Sequence, residues 1–342
     1  MITHQIGHSL PASINRFVRP GENQIDRRVL YSYLVENNIL REDATREIED
    51  TLIGVARRDL VAFADARRFS VPLDKGIGAK EFGFDRIAPV GQARQGMSIL
   101  DLGDRDLVTY GRTVIPVPVT ASQFRLDARD LTAGRRGIGP SIDLTNLEEH
   151  TRAVAETMED TLVNGSAVNL GANTLPGYTN LSCREQITTT GAWSALTPPN
   201  FAGAITDVLT AKAALAANGF TGPYILYVPS DFDAILEEDY KAESDLTVRR
   251  RILAIDGIEA VKVCATLPAS EVLLVQMSRS VVEIAVGQDL TTVTWDELGG
   301  MAQNWAVLFV GAPALKCANA RAPLSAGVLP ALTTAAGIAH IS

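Results

Sequence analysis

The chain has 342 residues, of which 46% are hydrophobic and 21% charged, and a mean hydropathy of +0.09. That profile predicts a folded protein rather than a disordered or fibrous one, and at about 150 residues per domain the length predicts about two domains. The formal charge of −9, from 31 basic and 40 acidic side chains, excludes the broad cationic surface that non-specific nucleic-acid binding needs.

The first 80 residues carry 12 basic and 11 acidic side chains, so the acidity belongs to the remainder. Met1-Ile2-Thr3-His4 opens no basic region followed by an apolar run, so no secretory signal is expected. Residues 1–24, rich in Ser, Pro, Asn and Gly, and residues 323–342, rich in Ala, Thr, Gly and Pro, are poor at building a core. Both ends are expected to be held by partners.

Residues 25–66 read as an amphipathic helical arm interrupted at Asn37-Asn38. Ile25, Val29, Tyr33 and Leu34 share one face. A second stretch, capped by Asp43, aligns Ile48, Leu52, Ala56, Leu60 and Phe63. Packing on its own domain and docking on a neighbouring chain are both open for this arm. Residues 70–142 change character, with ten glycines from Gly76 to Gly139 interrupting short β-prone pieces such as 107–110 and 114–119. A stretch of this composition cannot build a compact core alone and is expected to reach outward as an extended hairpin or loop.

Thr145-Asn146-Leu147-Glu148 is a capping box, followed by Thr151, Val154, Met158 and Leu162 at helical spacing and ended by Asn164-Gly165. A second helix is predicted over 201–217 with Asn218-Gly219 as its stop, then a buried strand over 224–228. Pro229-Ser230-Asp231 opens a short helix to Tyr240, residues 241–245 form a polar break, and another helix runs to about Ala254. Strands are predicted at 258–264, 271–277, 281–286, 290–295 and 303–311. Because the strands cluster at the end instead of alternating with helices, the fold class is α+β.

The inventory of catalytic groups is thin. There is no GxxxxGK[ST] phosphate loop, and Gly76-Ile77-Gly78 with Gly83 has neither the spacing nor the preceding strand of a dinucleotide site. Of four histidines, His4 and His8 lie in the N-terminal arm, His340 in the C-terminal tail, and His150 alone on a helix beside Glu148 and Glu149. No metal-ligand spacing results, and His150 reads as an exposed helix residue. Cys183, Cys264 and Cys317 are far apart and odd in number, which argues against a disulfide framework and for a reducing compartment. Cys264 reads as a small core residue. No catalytic, cofactor-binding or metal-ligating residue is therefore expected. The two uncharged or weakly charged stretches, 298–315 and 322–342, are broken by Gly, Pro, Gln and Asn and do not read as membrane spans. The dense basic clusters Arg135-Arg136 and Arg249-Arg250-Arg251 are flanked by acids, and inter-subunit ion pairs explain them at least as well as phosphate binding.

The order of parts resembles the Hong Kong 97-type capsid fold shared by tailed-phage major capsid proteins and encapsulin shells. IPVPVTASQFRLDARDL (115–131) and IDLTNLEEHTRAVAETMEDTLVNG (142–165) resemble the encapsulin stretch in which the extended loop returns and enters the spine helix. GFTGPYILYVPSDFDAILEED (219–239), EVLLVQMSRSVVEIAVGQDLTTVTW (271–295) and NWAVLFVGAPALKC (304–317) resemble the family's A-domain and its final P-domain strand. The resemblance spans about residues 78–320.

It implies an N-terminal arm over 1–77, an E-loop over 78–122, a P-domain over 123–197 and 300–322 with a spine helix at about 145–164, an A-domain over 198–299, and a C-terminal tail over 323–342. It places Lys241, Ala242, Glu243, Ser244 and Asp245 at the capsomer axis and assigns Leu147, Val154, Met158 and Leu162 to spine-helix packing. The implied role is a major capsid protein of a tailed bacteriophage, assembled in a bacterial cytoplasm into a virion shell around double-stranded DNA without sequence-specific contacts. Its partners would be itself in pentamers and hexamers, with portal, scaffold and decoration proteins as further ones, and no membrane.

The arm of about 75 residues and the roughly 20-residue tail depart from encapsulins, whose shell fold follows a short N-terminal helix. An encapsulin-type compartment enclosing cargo enzymes is the alternative, and an α+β enzyme a remote one. The founding phage of the fold joins its subunits through Lys–Asn isopeptide bonds. Here the six lysines include none between 81 and 211, so no such bond is expected and Lys80 is the one weak position for it.

Overall fold

In this computed structural model, residues 60–87, 97, 107, 110–127, 142–189, 193, 201–239, 246–297, 299, 301–320, 333–335 and 338–341 are described. In chain order the elements are helix α1 (Ala62–Ala66), strands β1 (Ser70–Pro72), β2 (Glu81–Ile87), β3 (Tyr110–Pro116) and β4 (Val119–Asp127), then the long helix α2 (Ile142–Val163). Short strands β5 (Ser166–Leu170), β6 (Asn173–Leu175) and β7 (Glu185–Ile187) precede helix α3 (Ala202–Ala217). Strand β8 (Tyr224–Val228), helices α4 (Asp233–Glu237) and α5 (Val248–Leu253), and strands β9 (Ile258–Val263) and β10 (Val272–Gln276) follow. The chain closes with β11 (Val282–Glu297), β12 (Ala302–Leu315), β13 (Ala318–Ala320), β14 (Thr333–Ala335) and β15 (Ile338–Ile341). The architecture is α+β.

The chain divides into two compact units. The first comprises 1–56, 121–154 and 290–308, and the second 57–120, 155–289 and 309–342. Helix α2 and strands β11 and β12 contribute residues to both.

In the first unit an aromatic stack marks the core. Phe124 lies face to face with Trp305, centroids 6.0 Å apart and planes within 3°, and with the His150 ring at 4.8 Å. Trp305, Leu126, Leu147 and Val154 are buried in this unit. Thr151, buried on the helix, donates to the Leu147 carbonyl one turn back at 2.7 Å, which satisfies a hydroxyl that would otherwise be costly to bury.

The second unit is built on a five-stranded sheet in the order β7-β15-β10-β8-β9. Every residue of β8 and β10 is buried, as continuous apolar runs covered on both faces must be. Each large side chain buried there stabilises the unit by about 1.5–3 kcal/mol. β10 pairs antiparallel with β8, and β8 pairs parallel with β9. Helix α3 packs on β15, β7 and β10, and α5 on β9. β2 and β3 form an antiparallel hairpin with Glu81 opposite Pro116 and Ile87 opposite Tyr110.

Helix α2 stops where the sequence says it should. Gly165 takes φ +82° and returns its N–H to the Thr161 carbonyl, the left-handed position that favours glycine. A second glycine is required opposite it, since a Cβ on Gly177 would lie 2.2 Å from the Gly165 nitrogen.

Several expectations are corrected. Helix α2 begins at Ile142, so the Thr145 capping box lies inside the helix rather than at its start. The two strands expected at 281–286 and 290–295 are one strand of 16 residues, because Gly287 and its polar neighbours continue the extended backbone. The end of the tail is held by the chain itself: β15 lies between β7 and β10 with all four residues buried. Residues 1–24, also expected to be held by partners, lie outside the described residues. Of the two options open for the arm, its described end takes packing on its own chain, with Leu60, Ala62, Phe63 and Ala66 buried and the Phe63 ring edge-on to Phe309 at 5.7 Å. The expectation against disulfides also fails. Cys183 and Cys317 are bonded across 134 residues, Cα atoms 6.0 Å apart, leaving Cys264 as the free thiol.

Candidate functional site

The features that bear on function are clamps and exposed apolar surfaces. The strongest clamp holds the start of α1. Glu159, on helix α2 and 1% exposed, accepts hydrogen bonds from the backbone N–H groups of Ala62 at 2.7 Å, Phe63 at 2.9 Å and Val61 at 3.3 Å. These are N–H groups that a helix start leaves without intrahelical partners, and no side chain of α1's own cap residue serves them. The Cys264 thiol also donates to Glu159, at 3.4 Å. Burial pushes the Glu159 carboxyl above its ordinary range, with the N–H donors and the thiol opposing. Burial, then the Glu159 charge, pushes the Cys264 thiol up to about 12, so it is not a nucleophile at neutral pH.

One turn further, Asp65 is 3% exposed and receives the Tyr227 hydroxyl at 2.9 Å and Lys262 Nζ at 2.7 and 2.8 Å. Arg68 joins from the surface at 3.3 Å. Burial pushes the Tyr227 and Tyr178 phenols upward, and neighbouring acidic groups add to it. The pair of carboxylates thus fixes the backbone and the side chains of one short helix to α2, β8 and β9.

The β2–β3 hairpin is a different surface. Tyr110 is 71% exposed at its outer end and Ile77 60% at its base. Gly83 leaves room for the Arg112 side chain, whose Nε would lie 2.8 Å from a Cβ there. At the base an open groove of about 320 Å³ is lined by Leu73, Asp74, Lys75, Glu81, Arg112 and Val114 among others. Its charges are of mixed sign, which selects no single class of small ligand. Exposed apolar residues recur at Val168 and Leu170 on β5, and at Val293, Trp295 and Met301 around the β11–β12 turn.

Leu147, Val154, Met158 and Leu162 are all buried, at 0–3% exposure. Lys241, Ala242, Glu243, Ser244 and Asp245 lie outside the described residues, as do Arg135 and Arg136. Arg249 pairs within its own chain, at 2.7 Å from Asp233 and 2.6 Å from Glu237 on helix α4. It is therefore already paired without a second subunit, whereas Arg250 is exposed on the same helix and Arg251 is half-buried.

His150 is not the exposed residue expected, since its Nδ1 is 2.6 Å from the Ser122 hydroxyl and its ring stacks on Phe124. Glu159 and Asp65 were not singled out by sequence. Their one signal was an acid placed on an apolar helical face, Asp65 with Val61 and Ala62 and Glu159 with Ala155, Leu162 and Val163. Among the described residues no group of three His, Cys, Asp or Glu could hold a metal ion, and no helix is long and apolar enough to cross a membrane.

A family model described as a family of unknown function, DUF6260, matches residues 36–320. No curated protein matches the chain. Among solved structures, the virus-like particle from Pyrococcus furiosus matches with a TM-score of 0.60 at 14% identity, covering 87% of this chain and 98% of that one. The capsid of Myoviridae phage XM1 matches with a TM-score of 0.61 at 10% identity, covering 82% and 91%. The capsid of the native GTA particle matches with a TM-score of 0.55 at 12% identity, covering 97% and 99%. The fold is the Hong Kong 97-type capsid fold.

Proposed function

Since the chain belongs to the DUF6260 family, whose function is unknown, and has the fold of capsid and particle shells, we propose that it is a major capsid protein that assembles into the icosahedral head of a tailed phage. The observation that carries this is the match to the native GTA capsid, which takes in 97% of this chain and 99% of that one. An agreement that runs nearly end to end on both sides supports a shared architecture.

In this reading residues 78–122 are the E-loop, 123–197 and 300–322 the P-domain, 198–299 the A-domain, and 241–245 line the capsomer axis. The hairpin's exposed Tyr110 and Ile77 would be buried on a neighbouring subunit, as would Trp295 and Met301. Repetition by symmetry turns each such modest contact into a closed shell. The −9 charge suits a wall that encloses double-stranded DNA without gripping it, since a polyanion is held by cationic surfaces. Arg250 and Arg251 are the positions proposed for inter-subunit ion pairs. Portal, scaffold and decoration proteins would be the remaining partners, and the bacterial cytoplasm the place of assembly.

Negative-stain electron microscopy of the purified protein tests the reading: closed icosahedral particles support it, and a monodisperse monomer or small oligomer overturns it. The match to the Pyrococcus particle, at 98% of that chain, favours as second reading a compartment of encapsulin type. Particles carrying a co-purified enzyme and no nuclease-protected DNA select that reading instead.

A further inference from the structure

The last described strand of the chain sits inside a sheet, second from its edge, and its two neighbours are held very differently. β10 is locked to β8 over four register pairs, Leu273 opposite Tyr227 to Gln276 opposite Tyr224. β7 is three residues long and pairs only with β15, in parallel, from Ala339 opposite Glu185 to Ile341 opposite Ile187. β15 also pairs antiparallel with β10, Val272 opposite Ile341 to Val275 opposite Ile338. Without β15 the sheet would end at the open edge of β10, a template for any extended strand.

Two devices stand at this slot. The first is covalent: Cys183, two residues before β7, is bonded to Cys317, two residues beyond β12. The second is a polar row across the three strands. His340 of β15 receives the Arg184 Nε–H on Nδ1 at 3.4 Å and lies with Nε2 3.0 Å from Glu271 Oε2. Arg184 directly precedes β7 and Glu271 directly precedes β10. The row fixes which residue of the final strand sits between them, since a slip by one would bury Ala339 or Ile341 there and turn every side chain to the other face.

We propose that the Cys183–Cys317 disulfide is a redox-controlled lock on the C-terminal strand, holding the β7 wall in place so that Ile338–Ile341 stays in its slot. The argument rests on connectivity. β12 is a core strand, buried at 13 of its 14 positions, so Cys317 is a fixed post, whereas β7 has no partner strand but β15. The bond therefore constrains β7, beside the packing of α3 and the Asn218 Nδ2–H bond to Glu185 at 2.6 Å, and through β7 the edge of β15 that β10 does not hold. Cys183 is 6% exposed and Cys317 is half-buried, so the Cys317 side is the approach open to a small reductant in this proposal. A dithiol such as dithiothreitol opens it by exchange. The reagent closes to its own cyclic disulfide, and its two electrons and two protons end as the Sγ–H bonds of Cys183 and Cys317. Nothing in this depends on whether the chain forms a shell.

Hydrogen exchange on the full-length protein, followed by mass spectrometry, tests it. Oxidised protein is compared with the same protein held in dithiothreitol, with alkylation under denaturing conditions to count thiols. The expected result is exchange faster by about tenfold or more at 338–341 and 185–187 on reduction, with β8 (224–228) unchanged, as for a local opening. The Cys183→Ser/Cys317→Ser double variant should match the reduced protein and no longer respond to the reagent. Equal protection in both redox states overturns the proposal. So does loss of protection in β8 as well, which would make the bond a staple of the whole unit. So does a full complement of three alkylatable thiols in protein kept under oxidised glutathione. Because reduction leaves the sequence intact, a variant that misfolds does not decide the question.

Discussion

Strand β8 and the β2–β3 hairpin place aromatic and β-branched residues in opposite settings. Tyr224, Ile225, Leu226, Tyr227 and Val228 are at most 1% exposed, enclosed by strands on both sides. In β3 the exposure falls along the strand, from Tyr110 at 71% to Ile115 at 4%. One region obtains its core from its own chain, while the other has a core only at its root. The difference teaches how labour is divided along the sequence: β8 contributes to single-chain stability, and on the proposed reading the exposed end of the hairpin is surface kept for contact between copies.

The largest effect should come from breaking the self-sufficient side. Leu226→Ala removes a fully buried side chain at the sheet centre and should cost about 2–5 kcal/mol, read as a lower urea midpoint with unchanged slope. Tyr110→Ala should change the stability of the single chain by no more than about 0.5 kcal/mol, yet reduce particle yield in sedimentation or electron microscopy. If Tyr110→Ala destabilised the chain as Leu226→Ala does, the contrast between the two regions would be lost.

A smaller effect sharpens the comparison at the edge of the self-sufficient region. Glu159 is the acceptor for three backbone N–H groups of the segment entering α1, and Glu159→Ala should cost about 1–3 kcal/mol by leaving them unpaired. The pH dependence has a definite sign. Burial holds the folded carboxyl above its ordinary value of 4.5, so this group's contribution is fully present below that value and is lost as pH rises through the folded one. Each tenfold difference in proton affinity between the two states amounts to about 1.4 kcal/mol. Glu159→Gln, fixed in the neutral form, should therefore gain on wild type in urea titrations as pH rises from 4.5 to 7. A gap between the two that widens in the opposite direction would contradict the cause assigned to the shift.

The sequence made some of this legible and concealed the rest for physical reasons. The run 224–228 and the Asn164-Gly165 stop are local signals, a continuous apolar strand and a left-handed glycine. The buried helix positions Leu147, Val154, Met158 and Leu162 follow from period alone. Ile338-Ala339-His340-Ile341 is too short and too mixed to declare its place in the sheet. Its partners lie more than 60 and 150 residues upstream. The Cys183–Cys317 bond and the Asp65–Lys262 pair, 134 and 197 residues apart, are equally invisible until the chain is folded. Glu159 and Asp65 looked like ordinary helix acids because what makes them unusual is the surrounding burial.

Cys264 offers a reading that needs no stability measurement. With its thiol pushed up to about 12 by burial beside Glu159, it should resist iodoacetamide at pH 8 in the native protein and react once urea opens the core. Labelling in the native state at the rate of a free thiol would mean that the clamp region opens by itself.

The smallest expected effect is at Arg249. Its partners Asp233 and Glu237 are 53% and 62% exposed against 26% for Arg249, so water and salt screen both pairs. Arg249→Ala should cost about 0.2–1 kcal/mol, and most of that should vanish in 1 M salt, where the screening length falls to about 3 Å. Particle yield should be unchanged, because the charge is already neutralised inside the chain. Arg250→Ala and Arg251→Ala should do the reverse, leaving the urea midpoint alone and shifting assembly to lower salt. If Arg249→Ala blocked assembly while Arg250→Ala and Arg251→Ala did not, Arg249 would be exchanging its α4 partners for a neighbouring subunit's acids. The arginine cluster would then have to be divided the other way.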